Sequence, residues 1–223
     1  MNMKDVFEPL DRSSLYESVY SKISLALIDG VLKPDEKLRI RALAEQLGTS
    51  VTPVRDAILK LVQEGALEWR GPKDIRVPRM RASQFEEIRT IRLRIEGLAA
   101  SLAAGKASPA QVEELRRILV EIESARNMDD HIAAIHLNRM FHGKIASIAG
   151  LPILEDMIQR MWLRMGPVIA SIYASGGRAM IVHFYELLDA IAKRNAIDAE
   201  TAMHNDINSA ARVIRDSGLL APD

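Results

Sequence analysis

The 223-residue chain contains no cysteine. Disulfides, thiolate nucleophiles and thiolate metal ligands are thereby excluded, and the composition suits a reducing compartment. Aromatic residues make up only 4% of the chain while 48% is apolar, so the core has to be built mainly from aliphatic side chains. No apolar run approaches the ~20 residues that a membrane-spanning helix needs, and no secretory signal pattern is visible. The expectation is a cytoplasmic protein with no membrane partner. Charge of one sign is not in excess either, with 30 Lys and Arg against 30 Asp and Glu. That balance argues against a uniformly basic nucleic-acid binder but leaves room for a local basic patch. A Gly-rich phosphate loop and the H-E-x-x-H zinc motif are also missing, which removes the commonest sequence signs of nucleotide or metallopeptidase chemistry.

What is present begins with "LAEQLGTSVTPVRDAILKLVQEG", Leu43 to Gly65. Leu43, Ala44 and Leu47 form a short apolar face, "GTS" interrupts it, and Val54, Ala57, Ile58, Leu61 and Val62 restart it on a helical period. Pro53 falls in the first turn of the second helix, where its missing N–H costs no intrahelical bond, and Ser50 or Thr52 can cap that turn. Two short helices joined by a tight turn put Ser50, Thr52 and Arg55 on the exposed start of the second. These are groups that suit a helix entering a DNA major groove: arginine can bridge guanine O6 and N7, and hydroxyls can hold phosphate oxygens. Helix-turn-helix patterns also occur in proteins that never touch DNA, so the flanking sequence matters.

Upstream, Ser13 or Ser14 caps a helix carrying Leu15, Val19, Ile23, Leu27 and Ile28, which Gly30 ends. Downstream, "ALEWR" and "IRV" read as two short extended pieces around the turn "GPKD", enough for a hairpin but not for a sheet. Three helices and a hairpin make a winged helix. Lys37, Arg39, Arg41, Arg55, Lys60, Arg70, Lys73, Arg76, Arg79 and Arg81 all lie in this zone, where one folded unit can gather them on one face.

From about Ser83 the pattern is helix after helix. "RTIRLRIEGLAASLAA" is one, and Ser108-Pro109-Ala110-Gln111 is a capping box that opens a second running to Arg126. Further helical runs span about 129–148, 152–174, 179–194 and 196–216, divided by Gly150-Leu151-Pro152, Gly176-Gly177 and the Asn195 region. The fold class is therefore mainly α: an N-terminal winged helix-turn-helix over residues 1–81, then an all-helical bundle of six helices over 82–223.

The block "IRALAEQLGTSVTPVRDAILKLVQEGAL", preceded by "IDGVLKPDEKL", resembles the DNA-binding domain of the GntR family of bacterial transcriptional regulators. The second zone is similar to the helical effector domain of its FadR/FCD branch, through "RLRIEGLAASLAA", "LNRMFHGKIASIAGLPIL" and "LLDAIAKRNAIDAETAMHNDI". The resemblance implies a cytoplasmic homodimer that binds a double-stranded operator and answers to a small carboxylate effector. It implies DNA contacts at Arg41, Ser50, Thr52, Arg55 and the wing residue Gly71. Val51 occupies a place where the family usually has a base-reading arginine, so the operator bases read here should differ.

Asn138 and His142 are spaced i, i+4 on one helix and share the stripe of Ile135, Ile145 and Ala149, so both should point into the bundle. In the FCD branch this pair resembles two ligands of a divalent metal such as zinc, usually Asp and His, joined by two further histidines. Here Asn138 replaces the carboxylate, Phe184 stands at one expected histidine with His183 one residue away, and Asp206 stands at the other. Asp206 shares an inward stripe with Ala199, Ala202, Ala210 and Val213, and His204 lies opposite; His131, His136 and His204 read as ordinary helix residues. Two readings stay open: one metal ion held by Asn138, His142, Asp206 and His183, or a metal-free polar network among Asn138, His142 and Asp206.

Arg92 precedes Glu96 by four residues, a spacing that usually means an exposed helical ion pair. By resemblance, an arginine here faces the effector cavity and pairs with a carboxylate ligand, completing an effector site with Asn138 and His142. The reading that follows is a ligand-responsive DNA-binding regulator, more often a repressor, with no catalytic residues. The alternative is a metal-dependent enzyme on the helical domain with the winged helix as an interaction module.

Overall fold

A computed structural model describes residues 13–173 and 181–223. The chain runs α1 (Ser13–Ile28), β1 (Lys37–Leu38), α2 (Ile40–Gln46), α3 (Val51–Gln63), β2 (Glu68–Gly71), β3 (Asp74–Arg76), then α4 (Ala82–Lys106), α5 (Pro109–Asn127), α6 (His131–Ala149), α7 (Pro152–Tyr173), α8 (Val182–Ala192) and α9 (Ala196–Asp216). The side chains of Ser13 and Ser14, to which the first cap is assigned, and the turn at Gly176-Gly177 lie outside the described residues.

The front unit follows the sequence pattern with one correction. The hairpin is the greater part of a three-stranded antiparallel sheet ordered β1-β3-β2, in which Lys37 and Leu38 pair with Arg76 and Ile75. A two-residue strand has no alternation to detect, so periodicity could not find it. Pro53 sits in the first turn of α3, whose buried stripe is Val54, Ala57, Ile58 and Leu61. Ser50 holds the N-cap position in extended geometry, but its side chain makes no capping bond. Val19, Ile23 and Leu27 of α1, the α3 stripe, and Leu38, Ile75 and Val77 close one aliphatic core.

Helices α4–α9 enclose the larger core, rich in alanine along α4 and α9 and in Ile and Leu from α5 to α8. Ser108 accepts from Gln111 N–H while the Gln111 side chain accepts from Ser108 N–H, the capping box expected from sequence. α7 is helical through an internal Pro167, which the pattern of apolar residues alone passes over.

The two units meet along α1 and α7. Leu163 of α7 is buried in the front core, and Ile28 of α1 packs against both cores. Gly30 has φ +71°, and a Cβ there would lie 2.0 Å from Ala170 Cβ. Asp29, just after α1, accepts from Arg139 Nε at 3.0 Å, with His136 Nδ1 3.1 Å away.

Candidate DNA-facing and interior sites

The start of α3 is exposed. Ser50, Val51, Thr52 and Arg55 lie open to solvent there while the next turn buries Val54 and Ile58, and Arg41 is exposed on the neighbouring α2. Gly71 ends β2 at the wing turn and is half-buried.

The basic residues do not form one uniform patch. Lys37 pairs with Asp74 at 3.2 Å, Arg70 pairs with Glu68 and Asp35, Arg76 pairs with Asp74 and Asp35, and Lys60 faces Glu64 at 3.4 Å. The pairs on Asp35 tie the wing to the loop after α1, the Glu68 and Asp74 pairs stay within the sheet and Lys60 pairs at the end of α3, which takes these cations out of a common face. Among the described residues, Arg39, Arg41, Arg55 and Lys73 form no salt bridge. They stand at the starts of α2 and α3 and at the wing tip. The free cations are therefore placed where a groove-reading helix and a backbone-straddling wing need them.

The interior of the helical domain holds a different arrangement from a metal centre. Arg92 and Glu96 are only 4% and 2% exposed, so their i, i+4 pair is buried rather than solvated. Arg92 Nε donates to Glu96 Oε1 at 2.5 Å, and its guanidinium lies 4.9 Å from the Trp162 ring centroid. His142 Nδ1 donates to Glu96 Oε2 at 2.9 Å, and its Nε2 faces Asp206 Oδ2 at 3.4 Å. Burial by itself would lower the His142 pKa, but the bonds to Asp206 and Glu96 outweigh it and raise it to about 9. Burial would raise Glu96, but Arg92 and then His142 hold it down at about 2. The cluster is thus two cations interleaved with the carboxylates of Glu96 and Asp206.

A resident metal does not fit this donor set. The two nitrogens of one imidazole point in opposite directions, and here each meets a carboxylate, so Glu96 and Asp206 cannot converge with His142 on one ion without rotating the ring. Asn138 is buried on the same stripe but offers only a neutral amide, and it makes no side-chain hydrogen bond among the described residues. Phe184 fills its place with a fully buried ring 5.4 Å from that of His142. His183 turns away, with Nδ1 2.9 Å from Glu186 Oε2 and Nε2 3.0 Å from Ser209 Oγ. Among the described residues no group of three or more His, Asp or Glu is placed to hold a metal ion. The four-residue ligand set Asn138, His142, Asp206 and His183 is therefore not assembled.

Sequence reasoning read Glu96 only as the partner in a surface ion pair and missed Trp162. Glu96 shares a helical stripe with Ile88, Arg92 and Ala99, all buried, and that stripe is the signal that could have moved the ion pair inward. His204 also differs from its expected polar position: it is part-buried, with Nε2 2.7 Å from the Leu93 carbonyl oxygen. Gly97 lets it approach, since a Cβ there would meet His204 Nε2 at 2.4 Å.

A winged helix with unpaired cations at the exposed start of α3 and at the wing tip, followed by a helical domain with a charged interior, defines a class: transcription regulators that couple a DNA-binding unit to a helical partner domain. The comparisons place the chain within it. The family model for bacterial regulatory proteins of the gntR family matches residues 15–77, and the FCD domain model matches residues 87–209. The HTH-type transcriptional regulator McbR of Escherichia coli K12 is 36% identical over 194 residues, covering 86% of this chain and 87% of that protein. A probable D-xylose utilization operon transcriptional repressor of Paenarthrobacter nicotinovorans is 28% identical over 74% of this chain and 71% of its own length. The solved structure of E. coli McbR/YncC superposes with a TM-score of 0.86 at 31% identity, covering 92% of this chain and 98% of that one. A GntR regulator from Rhodococcus sp. RHA1 shares the fold, with a TM-score of 0.76 at 18% identity over 91% of this chain and 98% of that one.

The chain belongs to the GntR family and carries an FCD domain. It is a DNA-binding transcriptional regulator and not an enzyme, which removes the alternative of a metal-dependent enzyme on the helical domain. Among the described residues no helix is long and apolar enough to cross a membrane.

Proposed function

We propose that the protein is a homodimeric, ligand-responsive repressor of a metabolic operon, with residues 1–81 as the DNA-binding unit and 82–223 as the effector and dimerisation unit. The observation that carries the DNA reading is the placement of unpaired cations: Arg41 and Arg55 at the starts of α2 and α3, and Lys73 at the wing tip. In this reading Arg55 contacts a base, Ser50 and Thr52 hold phosphates, Gly71 lets the wing backbone approach, and Val51 makes an apolar contact where an arginine would hydrogen-bond. Repression is supported by the name of the Paenarthrobacter relative, which is described as a repressor.

For the effector, Arg92, protonated His142 and the Asn138 amide form the interior surface that suits a small carboxylate, which would take over the place of Glu96 on Arg92. Trp162 connects this cluster to the front unit, because α7 carries both Trp162 and Leu163, the latter buried in the winged-helix core. An effector preferring one position of α7 would shift the paired winged helices and hence operator affinity.

Selection of binding sites from a random DNA pool tests the DNA reading. The wild-type chain should enrich a two-fold site, and Val51→Arg should change the preferred bases while raising non-specific affinity slightly through its charge. Identical selected sequences from the two proteins would remove Val51 from the reading surface.

A further inference from the structure

The connection between the two units is short and is held at both ends. Val77, buried in the front core, accepts from Asp35 N–H at 2.8 Å and donates its own N–H to Glu36 O at 3.0 Å. Met80, further along, is buried in the core of the helical domain. Pro78 and Arg79 alone lie between these anchors. The segment after α9 returns to this place. Gly218, at φ +70°, reverses the chain at the end of α9, and Leu220 packs against the same core as Met80. Ala221 then lies beside Arg81 as a parallel β-bridge: its N–H donates to Met80 O at 2.8 Å, and its carbonyl accepts from Ala82 N–H at 3.0 Å. Asp223 Oδ1 accepts from the Ser83 N–H at 3.1 Å and from the Ser83 hydroxyl at 2.5 Å. These bonds hold the Asp223 carboxyl below its ordinary range. Ala82 and Ser83 open α4, and N–H groups at a helix start have no partner within the helix. Here both are satisfied by residues about 140 positions later in the chain, one of them a carboxylate, which the helix dipole favours at that end. Arg215, in the last turn of α9, also donates to both oxygens of Glu86 on α4.

We propose that residues 217–223 form a strap that fixes the downstream end of the hinge between the two units and so limits how far the winged helix can move. With the strap in place the hinge is Pro78-Arg79. Without it only the Met80 side chain holds the next two residues, and their release adds about 7 Å of reach. The packing of α1 on α7 selects the docked arrangement, whereas the strap bounds the excursion when that packing opens. The consequence for DNA rests on the function proposed above: a bounded hinge holds two winged helices at one separation, and about 7 Å corresponds to roughly two base pairs of duplex.

Trypsin digestion of the full chain without DNA reads the strap directly, because Arg79 and Arg81 are exposed and the bonds that follow them run along backbone the strap holds. Ala221→Pro removes the N–H that Met80 O accepts, and Asp223→Ala removes the carboxylate on Ser83. Each should speed cutting after Arg79 and Arg81 by roughly fivefold or more, since proteolysis follows the population of the opened segment and each lost bond is worth about that factor. Cutting after the exposed Arg116 and Arg117 of α5 reports general unfolding and should stay unchanged. Unchanged cutting at the hinge in both variants, or an equal rise at Arg116 and Arg117, overturns the proposal. Fluorescence anisotropy on operators whose half-sites are moved apart by one and two base pairs reads the limit on reach. The wild type should lose affinity with each insertion and Asp223→Ala should lose less; equal losses overturn the limit. A wild-type chain that binds no operator at all would sink the functional reading, and the digestion would still decide the strap.

Discussion

Ile28 and Gly166 are in contact at the crossing of α1 and α7: a Cβ added at Gly166 would lie 2.4 Å from Ile28 Cα and 2.9 Å from Ile28 O. Both atoms it would meet are backbone, so no side chain can swing aside. Glu64, at the end of α3, ties the same junction from the other side, accepting from Tyr20 Oη at 2.5 Å and Arg160 Nη1 at 3.1 Å, while its carbonyl accepts from Arg164 Nε at 2.7 Å. The end of α3 is thereby linked to the helix that carries Trp162.

Gly166→Ala should separate α1 from α7. Overpacking typically costs ~1–3 kcal/mol, which exceeds the ~0.5–1 kcal/mol that alanine gains over glycine within a helix. Urea unfolding should show a lowered midpoint, and hydrogen exchange should quicken in α1 more than in α9. A raised midpoint would mean that the two units are not held together at this crossing.

The interior cluster makes stability depend on pH. His142 is raised from 6.5 to about 9 in the folded chain, so its stabilisation is fully present below about 6.5 and is lost as pH rises through about 9. Between those values the slope approaches ~1.4 kcal/mol per pH unit. Glu96 is lowered from 4.5 to about 2, so its contribution is present above 4.5 and lost as pH falls toward 2. The two together give this cluster its greatest effect between about 4.5 and 6.5. His142→Gln should flatten the alkaline limb of stability against pH, measured by urea unfolding at a series of pH values. An unchanged limb would show that His142 is not the protonated centre of the cluster.

Metal removal should leave the protein unaffected. Both ring nitrogens of His142 are committed to carboxylates, so elemental analysis after purification without chelator or nickel resin should find divalent metal far below one equivalent per chain. The thermal midpoint should not move on addition of EDTA. One equivalent of tightly held metal would require His142 Nε2 to give up its proton, contradicting the ion-pair network.

The fold was legible where a period was long enough to read. α3 declared itself through Val54, Ile58 and Leu61 with Pro53 at its start, and α5 through the Ser108 capping box. β1 was not legible, because Lys37 and Leu38 become a strand only when Arg76 and Ile75 arrive beside them. The interior site was half legible. His142 and Asp206 lie on apolar stripes, and the structure does bring them together. Arg92 and Glu96 have the spacing of a surface pair, and only the packing of α6, α7 and α9 around α4 turns that pair into a buried one. The basic cluster was over-read, because Asp35, Glu68 and Asp74 are close in space to cations that look free along the chain.

The central claim is that the exposed start of α3 reads DNA sequence, and Arg55 tests it most directly. Arg55 is exposed and forms no salt bridge among the described residues, so Arg55→Ala should leave folding and oligomeric state unchanged. Fluorescence anisotropy at one fixed salt concentration, on the selected operator and on unrelated duplex of equal length, separates specific from general affinity. The account predicts a loss of roughly 1–3 kcal/mol per half-site on the operator, with little change on unrelated DNA. Equal losses on both duplexes, or none on the operator, would contradict it.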